Sequence, residues 1–179
     1  MDKSKLEKLF SKERLDSYKD EAEHIRNFAT IDKIASKVGM LEIITRNAVA
    51  RELNISDDKF ISQQTLGFWV TMIDIMKIHN KILPNIDIDF KRYSKFNLQK
   101  NLLNHEKIKI LYSLLRTIRN RAFHFENLLK LNANNRPRLS CALQRKDYKL
   151  IVGIDPDNIE LFLDDFLDLF GKDLRFYLK

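Results

Sequence analysis

Four glycines and three prolines among 179 residues leave this chain few places to turn. Soluble proteins carry about 12% of the two together, roughly three times more. All-β sandwiches and barrels need Gly- and Pro-rich turns between many short strands, so those architectures are excluded. A phosphate-cradling glycine loop is excluded as well, since neither GxGxxG nor GxxxxGK[ST] occurs. Such a chain can build long helices, provided its apolar residues recur at the helical period.

They do recur so. Between about Tyr18 and Leu53, the residues Ile25, Phe28, Ala29, Ile34, Ala35, Val38, Leu41, Thr45 and Ala48 follow three- and four-residue steps. Gly39 marks a kink or a junction of two helices there, and Asn54 a terminator. Ser56, Asp57 and Asp58 offer N-caps for a second helix. Its stripe is Phe60, Leu66, Val70, Ile73 and Met76, and Pro84 stops it. A central helix is predicted from about His105 to Leu131, with Ile108, Leu111, Leu114, Leu115, Ile118, Ala122 and Phe125 inward. Asp155 as N-cap and Pro156 in the first turn open a C-terminal amphipathic helix over residues 155–171. Its buried face is Ile159, Phe162, Leu163, Phe166, Leu167 and Phe170, with Gly171 as the C′ residue. Asp164, Asp165 and Asp168 read as its solvated face rather than as a carboxylate metal site.

Two stretches break this pattern. Residues 84–104 are irregular. After the turn cluster Asn132 to Arg138 come two short β-prone runs, Leu139 to Leu143 and Tyr148 to Ile154, separated by Gln144, Arg145, Lys146 and Asp147. They predict a small hairpin packed on the helices, since an isolated hairpin is marginal. The expected fold is therefore all-α: one helical-bundle domain over 1–179, with a small β-hairpin near residues 139–154.

The apolar content, 44% with 12 Phe, supports a real core. One cysteine, Cys141, excludes a disulfide framework and a Cys-based zinc finger. The segment MDKSKLEKLFSKERLD lacks a long apolar run, and no run approaches a membrane span. The expected setting is cytoplasmic, with no membrane partner. Lys plus Arg outnumber Asp plus Glu by 32 to 25, a charge of +7 that permits a polyanionic partner.

Three histidines, His24, His79 and His105, lack metal-ligand spacing and read as structural or surface groups; no metal or other cofactor is expected. His124 differs because Arg116, Arg119, Asn120, Arg121 and Glu126 crowd around it. On a helix, Arg116, Asn120 and His124 share a stripe beside the inward face, and Arg119 and Glu126 share the next. Cleavage of RNA by its own 2′-hydroxyl needs a proton taken from that hydroxyl and one given to the 5′-oxygen, work suited to imidazole. It also needs extra negative charge held on the phosphorus oxygens, work suited to guanidinium. The alternative is a basic helix end whose cations complement the helix dipole. A second basic segment, Phe90 to Phe96, interleaves aromatics with Lys91, Arg92 and Lys95. It reads either as an RNA-binding patch or as an amphipathic cover over the core.

Three segments in order carry a family resemblance. They are Leu41 to Ala48 (LEIITRNA), Leu66 to Met72 (LGFWVTM) and Arg119 to Glu126 (RNRAFHFE). Together they resemble the Abi-like, abortive-infection family of HEPN-domain proteins over roughly residues 20–135. The resemblance implies an α-helical bundle that dimerises, with two signature helices forming one composite ribonuclease site. It implies that Arg119 and His124 are the catalytic pair and Asn120 their polar companion; the neighbouring Arg116 and Arg121 on the same basic flank are the expected RNA contacts. Phe125 stands where the family often has a second histidine. The Gly67-Phe68-Trp69 segment is expected to serve packing, with Gly67 allowing close helix approach. Implied partners are RNA, a second copy and an antitoxin protein; DNA is not expected. The alternative is an inactive module of this family that binds RNA or a protein.

Overall fold

The computed structural model describes residues 2–98, 101–146 and 148–177. Two short helices, α1 (Lys3–Phe10) and α2 (Lys12–Leu15), lead into α3 (Glu21–Glu52), 32 residues long. Asp20 caps α3, its carboxylate accepting from the Glu23 N–H at 2.7 Å. The helix runs through Gly39 without a junction, because tertiary packing on both sides outweighs one poor helix former. Its buried stripe is His24, Asn27, Ile31, Ile34, Val38, Leu41, Thr45 and Ala48. Ile25 and Phe28 lie outside it, at 62% and 38% exposure, so the predicted stripe is corrected over the first two turns.

The second predicted helix is instead three: α4 (Asp58–Gln63), α5 (Leu66–Ile75) and α6 (His79–Ile82). Gln64 is extended and Thr65 starts α5 afresh, its hydroxyl accepting from the Phe68 N–H. Phe60 and Met76 are accordingly exposed rather than core residues. A 3-10 turn at Phe90–Arg92 follows, within an irregular stretch of which residues 99 and 100 lie outside the described ones.

The central helix, α7 (Asn104–Phe123), buries Ile108, Leu111, Leu114, Leu115, Ile118 and Ala122 among α3, α5 and α6. It ends eight residues before the predicted Leu131. The Glu126 N–H reaches the Arg121 carbonyl and the Phe125 N–H the Ala122 carbonyl, both at 2.9 Å, with Phe125 left-handed at φ 51°. This double closure is a Schellman stop. Phe125 thus falls beyond the helix and is 43% exposed, not inward.

Strands β1 (Ser140–Gln144) and β2 (Lys149–Gly153) pair antiparallel in the register Ser140 to Gly153. They pack on α7, burying Leu150 and Val152. The hairpin was expected; Asp147 of its turn lies outside the described residues. A 3-10 turn at Pro156–Asn158 precedes α8 (Ile159–Asp168), which packs on α3, buries Phe162, Leu163 and Phe166, and sets Phe162 against Tyr93 and Phe166 against Tyr112 of α7. Asp155 does not cap it; its carboxylate accepts from the Ser94 hydroxyl at 3.1 Å. Gly171 is not left-handed, so it is no C′ glycine. Nor are the aspartates simply solvated. Asp164 pairs with Lys37 of α3 at 2.7 Å, and Asp165 takes the Tyr93 hydroxyl at 2.7 Å and Arg92 at 2.9 Å. A short helix, α9 (Leu174–Tyr177), follows. The fold is mostly helical with one small antiparallel hairpin. No helix among the described residues is long and apolar enough to cross a membrane.

Candidate active site at the end of the central helix

The three sequence segments that stood out meet at Glu42 on α3. One carboxylate oxygen accepts from the Leu66 N–H at the start of α5 (3.2 Å). The other accepts from Arg119 Nε on α7 (3.3 Å). A helix start has unsatisfied N–H groups and a positive end, so a carboxylate is favoured there, and the same carboxylate holds the guanidinium. Arg119 is held through Nε alone. Its Nη1 and Nη2 make no hydrogen bond among the described residues, and the side chain keeps 30% exposure. The guanidinium also lies 5.4 Å from the Phe123 ring centre.

Arg116 and Asn120 are exposed on the outer side of α7. The Arg116 guanidinium takes no hydrogen bond or ion pair among the described residues. Its stem passes Gly67, where an added Cβ would meet only Thr65 Oγ1 at 3.7 Å and Arg116 Cδ at 4.0 Å. These are ordinary contacts, so Gly67 does not serve close helix approach as expected. Trp69, fully buried, does serve packing. One turn along α3 from Glu42, the Nε of Arg46 is buried without a hydrogen-bond partner.

Arg121 turns the other way, to Glu126 at 3.1 Å, which Arg138 joins at 3.5 Å. Burial, and then the neighbouring Arg138, lower the Arg121 pKa from its usual value, with Glu126 opposing. Glu126 therefore offsets Arg121 rather than sharing a stripe with Arg119, because the helix has ended before it.

His124 is the C-cap of α7 and is exposed. No hydrogen bond, ion pair or ring contact engages its imidazole among the described residues. Its backbone, by contrast, is held from two sides. Arg14 Nη1 of α2 donates to the carbonyl of His124 (3.0 Å) and to that of Phe125 (2.8 Å). Buried Asn27 of α3 donates to the Glu126 carbonyl (3.1 Å) and accepts from the Leu128 N–H (2.9 Å). A cation on the last carbonyls of a helix also complements its dipole. Arg14, Asn27 and Glu42 escaped the sequence reading as site residues. Glu42 had a signal, its place in the LEIITRNA segment; Arg14 and Asn27 had none.

The segment Phe90 to Phe96 lies elsewhere and is split by burial. Phe90 and Tyr93 point into the core, and only Phe96 is half-open, under Lys95 (5.4 Å) and Arg136 (5.6 Å). Lys91 and Lys95 are exposed, while Arg92 is engaged by Asp165. The aromatic residues here chiefly cover the core. The other histidines are structural or surface groups. His24 is buried among Phe10, Tyr18 and Phe28, His79 bonds Asp74 at 2.8 Å, and His105 is exposed. Burial pushes the Cys141 thiol up to about 12, which makes it a poor nucleophile.

Comparison with protein-family models, curated proteins and solved structures returns no significant match for this chain.

Proposed function

We propose that this protein is a metal-independent endoribonuclease, active as a homodimer and acting as a toxin or phage-defence effector of the HEPN type. The observation that carries the reading is one helix end with two complementary unspent groups. Among the described residues, an exposed imidazole has no partner, and an arginine is anchored by Nε while Nη1 and Nη2 make no hydrogen bond.

The chemistry follows from those groups. The imidazole of His124 takes the proton of the ribose 2′-hydroxyl. The 2′-oxygen bonds to phosphorus, the bond from phosphorus to the 5′-oxygen breaks, and the leaving oxygen receives a proton from the imidazolium of the second copy. The products are a 2′,3′-cyclic phosphate and a 5′-hydroxyl. Arg119 holds the phosphorus oxygens through Nη1 and Nη2, where charge builds up. Arg116 lies about one turn before Arg119 and Asn120 directly follows it, both exposed on α7, and Arg121 keeps the helix end cationic. The two signature residues are five apart, about 140° around a helix, so a second copy supplies the facing group.

The test is incubation of the purified protein with RNA in EDTA, beside His124→Ala and Arg119→Ala. Each variant should lose about 10²–10⁴-fold in cleavage while keeping wild-type circular dichroism. Cleavage should stop when the scissile nucleotide is deoxy. Cleavage that survives His124→Ala refutes the reading. A second reading has its own observation: the Glu42 carboxylate pairs with Arg119; the family resemblance adds that Phe125 stands where a second histidine is common. In that case the protein is an inactive module that binds RNA, or a protein such as an antitoxin, and the same assay shows binding without product.

A further inference from the structure

Phe125 is held in a backbone conformation that large side chains avoid, and its ring is left partly in water. Left-handed positions normally go to Gly or Asn. Of the five other positive-φ residues among the described ones, three are Asn54, Asn85 and Asn135, and the remaining two are Ser11 and Lys77. Phe125 is nonetheless fixed there at φ 51°, by the closure of α7 and by Arg14 Nη1 on the carbonyls of residues 124 and 125. Burial does not account for it, since the ring is 43% exposed. The ring is thus fixed in place yet half-open, one residue from His124.

The ring has a firm backing. Phe28 lies 5.5 Å from it at an interplanar angle of 37°, and Phe28 itself rests on Phe10 at 6.2 Å and on His24 at 5.1 Å. His124 is the preceding residue, and Arg14 brings one cation to the carbonyls of both residues. A half-open aromatic ring with a guanidinium close by suits a base and its phosphate.

We propose that Phe125, backed by Phe28, is a stacking platform for an unpaired nucleobase, so that the substrate is single-stranded RNA. This rests on the ribonuclease reading above. Attack by a 2′-hydroxyl requires the 2′-oxygen, phosphorus and 5′-oxygen in line. A stacked A-form duplex does not allow that arrangement, so the nucleotide must be unpaired. Its freed base then needs a surface, and the platform stands one residue from the imidazole.

The experiment measures binding of a short 2′-O-methyl RNA, which lacks the nucleophile, as a single strand and as a duplex. The proteins are wild type, Phe125→Gly and Phe125→Trp. Gly suits the left-handed position, so the Gly variant keeps its backbone. Wild type should prefer the single strand. Phe125→Gly should lose about 5- to 100-fold for the single strand and nothing for the duplex. Phe125→Trp should bind like wild type. Unchanged single-strand affinity in Phe125→Gly overturns the proposal, as does equal wild-type affinity for the two forms. A shift of Phe125→Gly from dimer to monomer in sedimentation also overturns it, since the ring is then a subunit contact. If wild type cleaves RNA but Phe125→Gly binds as it does, the platform alone fails. If wild type neither binds nor cleaves, the ribonuclease reading fails and takes the platform with it.

Discussion

Glu42→Gln is the perturbation that most directly tests how the site is built. Glu42 touches two elements at once, the Leu66 N–H at 3.2 Å and Arg119 Nε at 3.3 Å. Glutamine keeps an oxygen for Leu66 but offers Arg119 no charge. The two side chains are 21% and 30% exposed, so solvent screens the pair only in part. A buried charged hydrogen bond contributes about 1.5–3 kcal/mol and an exposed pair about 0–1, which puts this long single contact near 1 kcal/mol. Glu42→Ala also strips the buried helix start of its acceptor and should cost roughly 2–3 kcal/mol. Urea unfolding of wild type, Glu42→Gln, Arg119→Met and the double variant measures the coupling. It should fall at about 0.5–1.5 kcal/mol, and additivity within about 0.3 kcal/mol refutes the contact. The same Glu42→Gln protein should lose about 10- to 100-fold in cleavage, since an arginine freed to wander no longer meets the phosphate in one geometry. Unchanged cleavage with a real coupling would mean that Glu42 stabilises the fold but does not position Arg119.

Gly39→Ala should raise stability by about 1 kcal/mol, because the residue sits inside α3 with no atom within 4 Å of an added Cβ. The melting temperature should rise by about 2–4 °C, and a fall would show an unseen constraint. His24 should make stability pH-dependent: burial, and then nearby Arg14, hold its pKa below the ordinary 6.5, with Glu21 opposing. Just below pH 6.5 the unfolded chain binds a proton that the folded one refuses. Unfolding free energy should therefore fall as pH drops from 6.5 to the depressed value and then level off, and His24→Phe should flatten that step. Neutralising Lys91, Arg92 and Lys95 together should reduce the salt slope of RNA binding by about 2 if all three meet phosphates. An unchanged slope would leave the segment as core cover only.

Local rules carried much of the fold. Helical periodicity placed α3, α7 and α8, and the β-prone runs after residue 138 placed the hairpin to within a residue. Asn54 stops α3 as expected, in the left-handed position that its short amide tolerates. Other ends escaped local rules. Nothing in the sequence around Phe125 announces a left-handed stop, and none of the four glycines takes such a position. Arg14, more than a hundred residues away in the chain, meets the exposed carbonyls there.

The sequence by itself determined that this chain is helical, that α7 is its core helix, and that Arg119 and His124 stand five residues apart along that segment. Those properties depend on spacing, and spacing is local. Only the tertiary structure decided which cations are free and which are spent. Arg121 and Arg119 look alike in sequence, yet Glu126 and Arg138 engage one while Glu42 takes only the Nε of the other. Ion pairing depends on which carboxylate the packing of distant elements brings within about 4 Å, and chain spacing does not encode that.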